Sequence, residues 1–169
     1  MIRVAVDDIA FVVADAVLRP ATSMLEPTTA ALRRLEQVGG PSFWKQLRVQ
    51  QELAVGAAVV TAGGELPSPL VIHAIIMSPG EPVSSTGVRR ALTSALQRAS
   101  AWEIAHLAVP VVGTGAGGLA VSEAVDILVQ VLAAHLASTD FPRDVLIVVE
   151  REDERQMVDG VIKRYKPDA

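Results

Sequence analysis

Short apolar, β-branched runs alternate along the chain with segments whose apolar residues recur every three to four positions. The runs have the length of buried strands, and the periodic segments have the spacing of amphipathic helices. The predicted strands are residues 3–6, 10–14, 57–61, 70–76, 107–112 and 144–149. The predicted helices run from Thr28 or Thr29 to Gly39, from Pro41 to near Gly56, and over residues 84–99, 122–136 and 150–165. This alternation predicts a mixed, mostly parallel sheet between helix layers, in one domain over residues 1–169.

The apolar pattern breaks between the second predicted strand and the first predicted helix. Residues 16–27 contain Pro20 and Pro27, which favour a loop that is long enough to line a site. Further along the chain, Trp44 is expected in the core, and Ser122 is expected to cap the helix that it begins. His73 lies in an apolar run, where a histidine is more often a hydrogen-bonded core residue than a catalytic one.

The strongest local signal for a ligand is the stretch VPVVGTGAGGL, residues 109–119. An apolar strand ends there in four glycines within six residues, and a helix follows. Glycine lets consecutive backbone N–H groups point into one concavity, and a helix N-terminus adds positive potential, so the loop suits a phosphate group. The alternative is that the glycines only form a tight turn. We call residues 113–119 the glycine loop.

Two known phosphate motifs fit this loop poorly. A P-loop needs Lys and Ser or Thr after its last glycine, where this chain has Leu119 and Ala120, so binding of a nucleoside triphosphate in that manner is excluded. The pattern G-x-G-x-x-G is satisfied from Gly113 to Gly118, but a dinucleotide fingerprint also expects an acidic residue about twenty positions on. The next predicted strand ends at Glu150, well beyond that distance.

Composition narrows the classes of function. The chain has 169 residues, 50% of them hydrophobic, and a formal net charge of −4. It can therefore bury a full core, and it has no general attraction for nucleic acid or for an anionic membrane. The absence of cysteine excludes disulfides and thiol chemistry, and the three histidines show no metal-ligand spacing. Acidic residues interrupt the apolar N-terminus, unlike a signal peptide. We expect a cytoplasmic protein with no metal, no cofactor and no membrane partner.

Several segments follow one another in the order that is typical of one family. They are Asp8-Ile9 after the first strand, Asp15-Ala16-Val17, residues 56–61 with Leu66-Pro67, Val71-Ile72-His73, and the GTGAGGL of the glycine loop. With this set the chain resembles a macrodomain over nearly its whole length. Macrodomains are three-layer α/β/α modules that bind ADP-ribose, and some of them hydrolyse ADP-ribosyl bonds. The resemblance therefore implies that fold, and ADP-ribose or an ADP-ribosylated molecule as the partner.

The resemblance also implies roles for individual residues. Asp8 matches the aspartate that accepts a hydrogen bond from the adenine amino group, with the backbone of Ile9 beside it. The alternative for Asp8 is a cap on an N-terminal turn. The family's second glycine loop wraps the diphosphate, and the residues that match it here are Gly113, Thr114, Gly115, Ala116, Gly117, Gly118 and Leu119.

The chain departs from the family pattern where the distal ribose would lie. Family members usually continue with N-A-A-N and a run of glycines, whereas this chain has Arg19-Pro20-Ala21-Thr22 and later EPTTAA at residues 26–31. Both asparagines are absent, and Val149 replaces an aromatic residue that often stacks on adenine. Arg19 and Thr22 remain accessory candidates, with Arg19 expected to pair with a phosphate. Arg19 cannot act as a general base because arginine stays protonated, and the hydroxyl of Thr22 is neither acidic nor basic enough without a partner.

Three hypotheses follow from these residues. The first is a binding module for ADP-ribose or a related nucleotide diphosphate, with no catalytic residue assigned. The second is a hydrolase of ADP-ribosyl groups or of ADP-ribose phosphate esters, whose rewired loop recruits Arg19 or His73. The third is a structural or oligomer-forming descendant that has lost its ligand. We favour the first hypothesis, because the asparagine and the glycine run that position the distal ribose in the family are replaced here.

Overall fold

The computed structural model describes residues 1–165. It consists of a six-stranded sheet with helices on both faces. The last four residues of the predicted domain, 166–169, lie outside the described part. The strands are β1 (Ile2–Val6), β2 (Ala16–Thr22), β3 (Ala58–Ala62), β4 (Leu70–Met77), β5 (His106–Pro110) and β6 (Asp144–Val149). The helices are α1 (Ala30–Gln46), α2 (Ser85–Ala101), α3 (Val121–Ser138) and α4 (Glu152–Tyr165), and a single 3₁₀ turn (Ile9–Phe11) follows β1.

The strand order in the sheet is β1-β6-β5-β2-β4-β3. All neighbouring pairs are parallel except β3 and β4, which pair antiparallel. Helices α2, α3 and α4 pack on one face of the sheet, and α1 with the 3₁₀ turn covers the other. The predicted three-layer α/β/α fold with a mixed, mostly parallel sheet is confirmed.

Each face of the sheet carries its own apolar core. Strand β4 shows the alternation clearly, since Ile72 and Ile76 belong to the cluster under α2 and α3, while Val71 and Ile75 belong to the cluster under α1. Both sets are fully buried, as expected for a strand with helices on both sides.

Helix α3 is the most apolar helix of the structure. Among residues 1–165 it alone is long and apolar enough to cross a membrane by length and composition, with a mean hydropathy of 1.4 over 18 residues. The core helix of a folded domain passes the same test. Six of its side chains are buried in this fold: Ala124, Val125, Ile127, Leu128, Val129 and Leu132.

Strands β2 and β5 separate towards their carboxyl ends. They pair only at Ala16 with Leu107 and at Val17 with Ala108. Beyond these residues β2 continues alongside β4, and β5 continues alongside β6. The sheet is therefore split between β2 and β5 at the end where the parallel strands finish.

The predicted second strand at residues 10–14 is wrong. Residues 9–11 form the 3₁₀ turn, and the strand is β2, which occupies part of the predicted loop at residues 16–27. Strand β2 was not predicted because it contains Arg19 and Pro20, which rarely occur in a buried central strand. Pro20 is tolerated because it lies beyond the two residues that pair with β5, where β2 has a strand partner on one side only.

Three expectations about helices also change. The predicted break at Gly40 is present as a kink with φ of 71°, but the second segment ends with α1 at Gln46 and does not reach Gly56. Trp44 is 45% exposed, not buried, and its indole nitrogen donates to the carbonyl of Glu36. Helix α3 is capped by Ala120 without any side-chain hydrogen bond, so Ser122 is not its cap.

Candidate functional site

A small cleft lies at the carboxyl ends of β1, β5 and β6, where the N-terminus of α1 approaches them. Its volume is about 90 Å³. It is lined by Asp7, Ile9, Thr29, Ala31, Pro110, Val111, Thr114, Val148, Val149, Glu150 and Glu154. Ligands of open parallel sheets bind beyond the carboxyl ends of the strands, at the crevice where neighbouring strands diverge. The cleft is therefore the candidate functional site.

The glycine loop contributes Thr114 to the lining of this cleft, and its other residues continue the chain from there. It folds back on itself through hydrogen bonds from Gly118 N to Gly115 O (3.0 Å) and from Leu119 N to Gly113 O (2.8 Å). A Cβ at Gly118 would lie 2.4 Å from the Gly113 carbonyl oxygen, so no other residue fits there. Gly115 has φ of 112°, a region that L-residues rarely adopt, and a Cβ there would lie 3.1 Å from the carbonyl oxygen of Thr28.

The loop leaves a run of backbone donors without partners. In residues 1–165 no hydrogen bond is formed by the N–H groups of Thr114, Gly115, Ala116 or Gly117, and residues 115–117 are exposed. The N–H groups of Gly118 and Leu119, by contrast, are used within the loop. Four of the seven predicted loop residues can thus donate to an anion.

Two helix N-termini lie beside the loop. Helix α3 follows it directly, and its uncapped first turn leaves N–H groups free at Val121 and Ser122. Thr29 is the N-cap of helix α1, its hydroxyl accepts from Leu32 N at 3.4 Å, and the residue lines the cleft. Since the positive end of a helix dipole attracts anions, both helices favour a negative group at the loop.

Asp8 is not among the residues that line the cleft, although its neighbours Asp7 and Ile9 are, and it has a structural role. Its Oδ1 accepts from Ala10 N at 3.0 Å, which caps the 3₁₀ turn as the alternative interpretation proposed. Its Oδ2 lies 3.3 Å from Arg34 Nε, and Arg34 also donates to Glu150 Oε1 at 2.6 Å. The side chain of Asp8 is 32% exposed, so it remains accessible beside the buried Ile9.

Arg34 was not among the site residues predicted from the sequence. Its guanidinium joins α1 to the ends of β1 and β6 across the mouth of the cleft. The hydrogen bond to Glu150, followed by the charge and hydrogen bond of Asp8, raises its pKa. With Asp7, Glu150 and Glu154 in the lining, this end of the cleft is acidic and Arg34 is its counter-charge.

Arg19 does not lie in the cleft, which contradicts its prediction as an accessory ligand residue. It is fully buried under α1, where NH1 lies 3.2 Å from His73 Nδ1 and NH2 donates to Leu25 O at 2.8 Å. Glu36 lies 3.4 Å away, and Arg19 Nε has no partner among residues 1–165. Burial lowers the pKa of Arg19 to about 10, against the opposing effect of Glu36.

His73 is the hydrogen-bonded core residue that the sequence favoured. Its ring is fully buried, stacks on Phe43 with ring centres 6.0 Å apart, and lies 2.8 Å from Thr61 Oγ1 through Nε2. Burial, and then the charge of Arg19, lowers its pKa to about 3. Nδ1 faces a donor, so Nε2 carries the proton. Both side chains are fully buried and neither is among the residues that line the cleft, which argues against their recruitment for hydrolysis.

Thr29, which lines the cleft, ends the segment of residues 22–29, which we call the threonine segment. Thr22 Oγ1 accepts from Met24 N and Glu26 N, so this accessory candidate closes a turn and does not line the cleft. The segment then pairs back on β2 and delivers Thr28 and Thr29 against Gly115. The Thr28 hydroxyl is buried without a partner in the described part of the chain. The threonines of this segment did not by themselves predict that it would reach the cleft.

Other parts of the molecule lack these features. No group of three or more His, Cys, Asp or Glu side chains that could hold a metal ion occurs within residues 1–165. A larger groove of about 810 Å³ lies between α2 and α3, with Arg89 as its charged residue and Leu96 and Val131 in its floor. It has no glycine loop and no helix N-terminus among its lining residues, so size alone does not make it the candidate site.

Comparison with known proteins identifies the class of protein. The sequence model described as Macro domain matches residues 20–128. An uncharacterised protein of Aeropyrum pernix is 33% identical over 163 residues, covering 95% of this chain and 85% of that protein. A protein of Enterobacter sp. named O-acetyl-ADP-ribose deacetylase is 29% identical over 176 residues, covering 99% of this chain and 98% of its own. The chain therefore belongs to the macro domain family.

The fold agrees with this assignment. The crystal structure of the Trypanosoma brucei macrodomain in complex with ADP-ribose superimposes with a TM-score of 0.85 at 18% identity. The match covers 95% of this chain and 68% of that one. At this identity the likeness establishes the fold alone.

Proposed function

We propose that this chain binds ADP-ribose or a related nucleotide diphosphate in the cleft. The observation that carries the proposal is the row of four unpaired N–H groups in the glycine loop, placed beside the N-termini of α1 and α3. Hydrogen bonds to a charged acceptor contribute about 1.5–3 kcal/mol each, so a diphosphate that meets several of them gains useful affinity without any basic side chain.

The electrostatics of the cleft support one orientation of such a ligand. Asp7, Glu150 and Glu154 line the cleft, and Asp8 lies between the lining residues Asp7 and Ile9. Carboxylates repel phosphate and accept hydrogen bonds from amino groups, so the diphosphate belongs in the loop and an amino-bearing base belongs beside Asp8. Adenine meets this requirement, and the backbone of Ile9 is at hand beside it. Relatives named for ADP-ribose chemistry, or solved with ADP-ribose, agree with this ligand class.

The cleft has to widen when it takes up a ligand of this size. Its 90 Å³ lies below the 300 Å³ or so that is usual for small-molecule pockets. The ion pairs of Arg34 join α1 to Asp8 and to Glu150, which lines the cleft, and Gly115 lies against Thr28, next to the lining residue Thr29. Both join α1 or its entry to the sheet ends, so a small outward shift of these side chains and of the loop tip opens the site.

Isothermal titration calorimetry with ADP-ribose, ADP, AMP and UDP tests the proposal. ADP-ribose and ADP should bind more tightly than AMP, since AMP lacks the second phosphate, and ADP should bind more tightly than UDP, since uracil lacks the amino group. Absence of measurable binding for both ADP-ribose and ADP would refute the proposal.

The match to a protein named O-acetyl-ADP-ribose deacetylase over nearly the whole chain favours hydrolysis as a second candidate. The residues present argue against it, because Arg19 and His73 are buried and Thr22 is engaged in a turn. Hydrolysis needs a water or a carboxylate held at the reacting carbon. The protein should therefore release no acetate from O-acetyl-ADP-ribose, and no ADP-ribose from a mono-ADP-ribosylated protein, above a heat-inactivated control. Release well above that control would establish the enzyme instead.

A further inference from the structure

Arg19 joins four parts of the fold at one guanidinium. The residue itself lies on β2, His73 lies on β4, Glu36 lies on α1, and Leu25 lies in the threonine segment. A buried cation is costly to desolvate, and an apolar residue of similar volume in this position often gives an equally stable core. The stability of the core alone therefore does not account for an arginine here.

The hydrogen bond from Arg19 to the carbonyl of Leu25 shows which turn of the chain the guanidinium holds in place. Leu25 has φ of 60°, in the left-handed region that a leucine rarely adopts, and it is 3% exposed. Its carbonyl accepts from Arg19 NH2, while its N–H donates to Thr22 O at 2.9 Å. Residues 22–31 contain no glycine that could relax this turn. Without Arg19, the carbonyl of Leu25 would be left buried and unpaired, and the turn would lose its conformation.

The turn determines where the wall of the cleft lies. Immediately after it, Pro27 bridges to Ala21 on β2, and Thr28 and Thr29 follow into α1. The Thr28 carbonyl and the Thr29 methyl group then approach the Cβ position of Gly115 at 3.1 and 3.6 Å. The chain of contacts from the core to the glycine loop is therefore Arg19, Leu25, Pro27, Thr28 and Gly115.

We propose that Arg19 is a positioning residue for the cleft. By fixing the threonine segment, it places the N-terminus of α1 beside the glycine loop, and it does so without touching the ligand. It thus takes the place of the glycine-rich conformation that other sequences can use for a close approach of backbone to phosphate. The proposal rests on the proposed function, because it assumes a phosphate-bearing ligand between the two walls.

Neutral His73 keeps this anchor in one orientation. Nδ1 accepts from Arg19, and the Nε2 proton goes to Thr61, whose hydroxyl donates in turn to Ala62 O at 3.1 Å. The pKa of about 10 for Arg19 leaves the guanidinium charged at neutral pH, and the pKa of about 3 for His73 leaves the ring neutral. The donor and acceptor roles are therefore constant across the physiological range.

The test compares Arg19→Met, Arg19→Lys and the core variant Leu92→Ala, which lies on α2 in the other core. Calorimetry with ADP-ribose and with inorganic pyrophosphate measures affinity, and hydrogen exchange measures opening of residues 22–29. Arg19→Met should weaken both ligands at least tenfold and accelerate exchange in that segment. Arg19→Lys should restore part of the affinity. Leu92→Ala should lose stability while it keeps the parental affinity.

The outcomes separate the two proposals. If the folded Arg19→Met variant binds both ligands as the parent does, or if Leu92→Ala loses as much affinity, the positioning role is wrong. If Arg19→Met does not fold, Glu36→Gln replaces it in the same experiments. Glu36→Gln should lose affinity threefold or more and exchange faster in residues 22–29. A Glu36→Gln variant with the affinity and exchange of the parent overturns the proposal. Parent protein that binds pyrophosphate but neither ADP-ribose nor ADP refutes only the proposed ligand. Parent protein that binds none of these refutes both.

Discussion

Acid should destabilise the fold through His73, whose ring is buried between Phe43 and the guanidinium of Arg19. Burial, and then the charge of Arg19, lowers its pKa from 6.5 to about 3. A folded-state pKa below the unfolded value means that the unfolded chain binds a proton which the folded chain does not. The contribution to stability is therefore complete above the unfolded pKa and is lost as the pH falls towards 3.

The size of this effect follows from one proton. Where the unfolded histidine is protonated and the folded one is neutral, the free energy of unfolding changes by about 1.4 kcal/mol per pH unit. Between about pH 5.5 and about pH 4 the parent should lose about 2 kcal/mol through His73, in addition to any loss from its carboxylates. That is a large fraction of the stability of a typical domain.

Urea unfolding followed by circular dichroism, at several pH values from 7 to 4, measures this loss. His73→Asn keeps an acceptor for Arg19 but does not titrate, so the difference in unfolding free energy between parent and variant should shrink by about 2 kcal/mol between about pH 5.5 and about pH 4. Leu92→Ala, a core substitution at a residue that does not titrate, controls for the loss of stability itself and should leave the slope unchanged. A parent–variant difference that stays constant with pH for His73→Asn would refute the reasoning.

Three further substitutions test the cleft directly. Gly115→Ala adds a Cβ at φ of 112° and 3.1 Å from Thr28 O, so calorimetry should show at least tenfold weaker binding of ADP-ribose. The control Gly80→Ala, whose Cβ lies in open space, should bind as the parent does. Equal affinities of the two variants would show that the glycine loop is not part of the site. Asp8→Ala should lower the preference for ADP over UDP about tenfold, since such a pair discriminates by a kcal/mol or more; an equal loss for both nucleotides would leave Asp8 only its cap role. Arg34→Gln removes two surface ion pairs, so it should cost under about 1 kcal/mol of stability and speed ADP-ribose association in stopped flow; slower association would contradict the closure by Arg34.

The parts of the structure that the sequence predicted well are those fixed by neighbouring residues. The glycine loop is one example, since the strand, the glycines and the helix that make it are contiguous and each has its own local signal. Strand β6 is another, and its predicted bounds agree with the structure. His73 was placed correctly because its apolar flanks already define a buried strand.

The missed features depend on partners that are distant in sequence. Arg34 pairs with Asp8 and Glu150, 26 and 116 residues away, and no local pattern encodes that meeting. Arg19 looked like a surface or ligand residue because its burial requires a carbonyl, an imidazole and a carboxylate from three other segments. Trp44 looked apolar enough for the core, but the short second part of α1 leaves its ring at the surface.

The separation of β2 from β5 has a consequence for how this site can change over time. The gap is made by main-chain pairing, because the two strands share only the rungs at Ala16 and Val17 before each follows a different neighbour. Side-chain substitutions do not alter that pairing, so the crevice stays in place while its walls are exchanged. The residues that line the walls can therefore differ between sequences of this fold while the position of the site, beyond the carboxyl ends of the strands, remains the same.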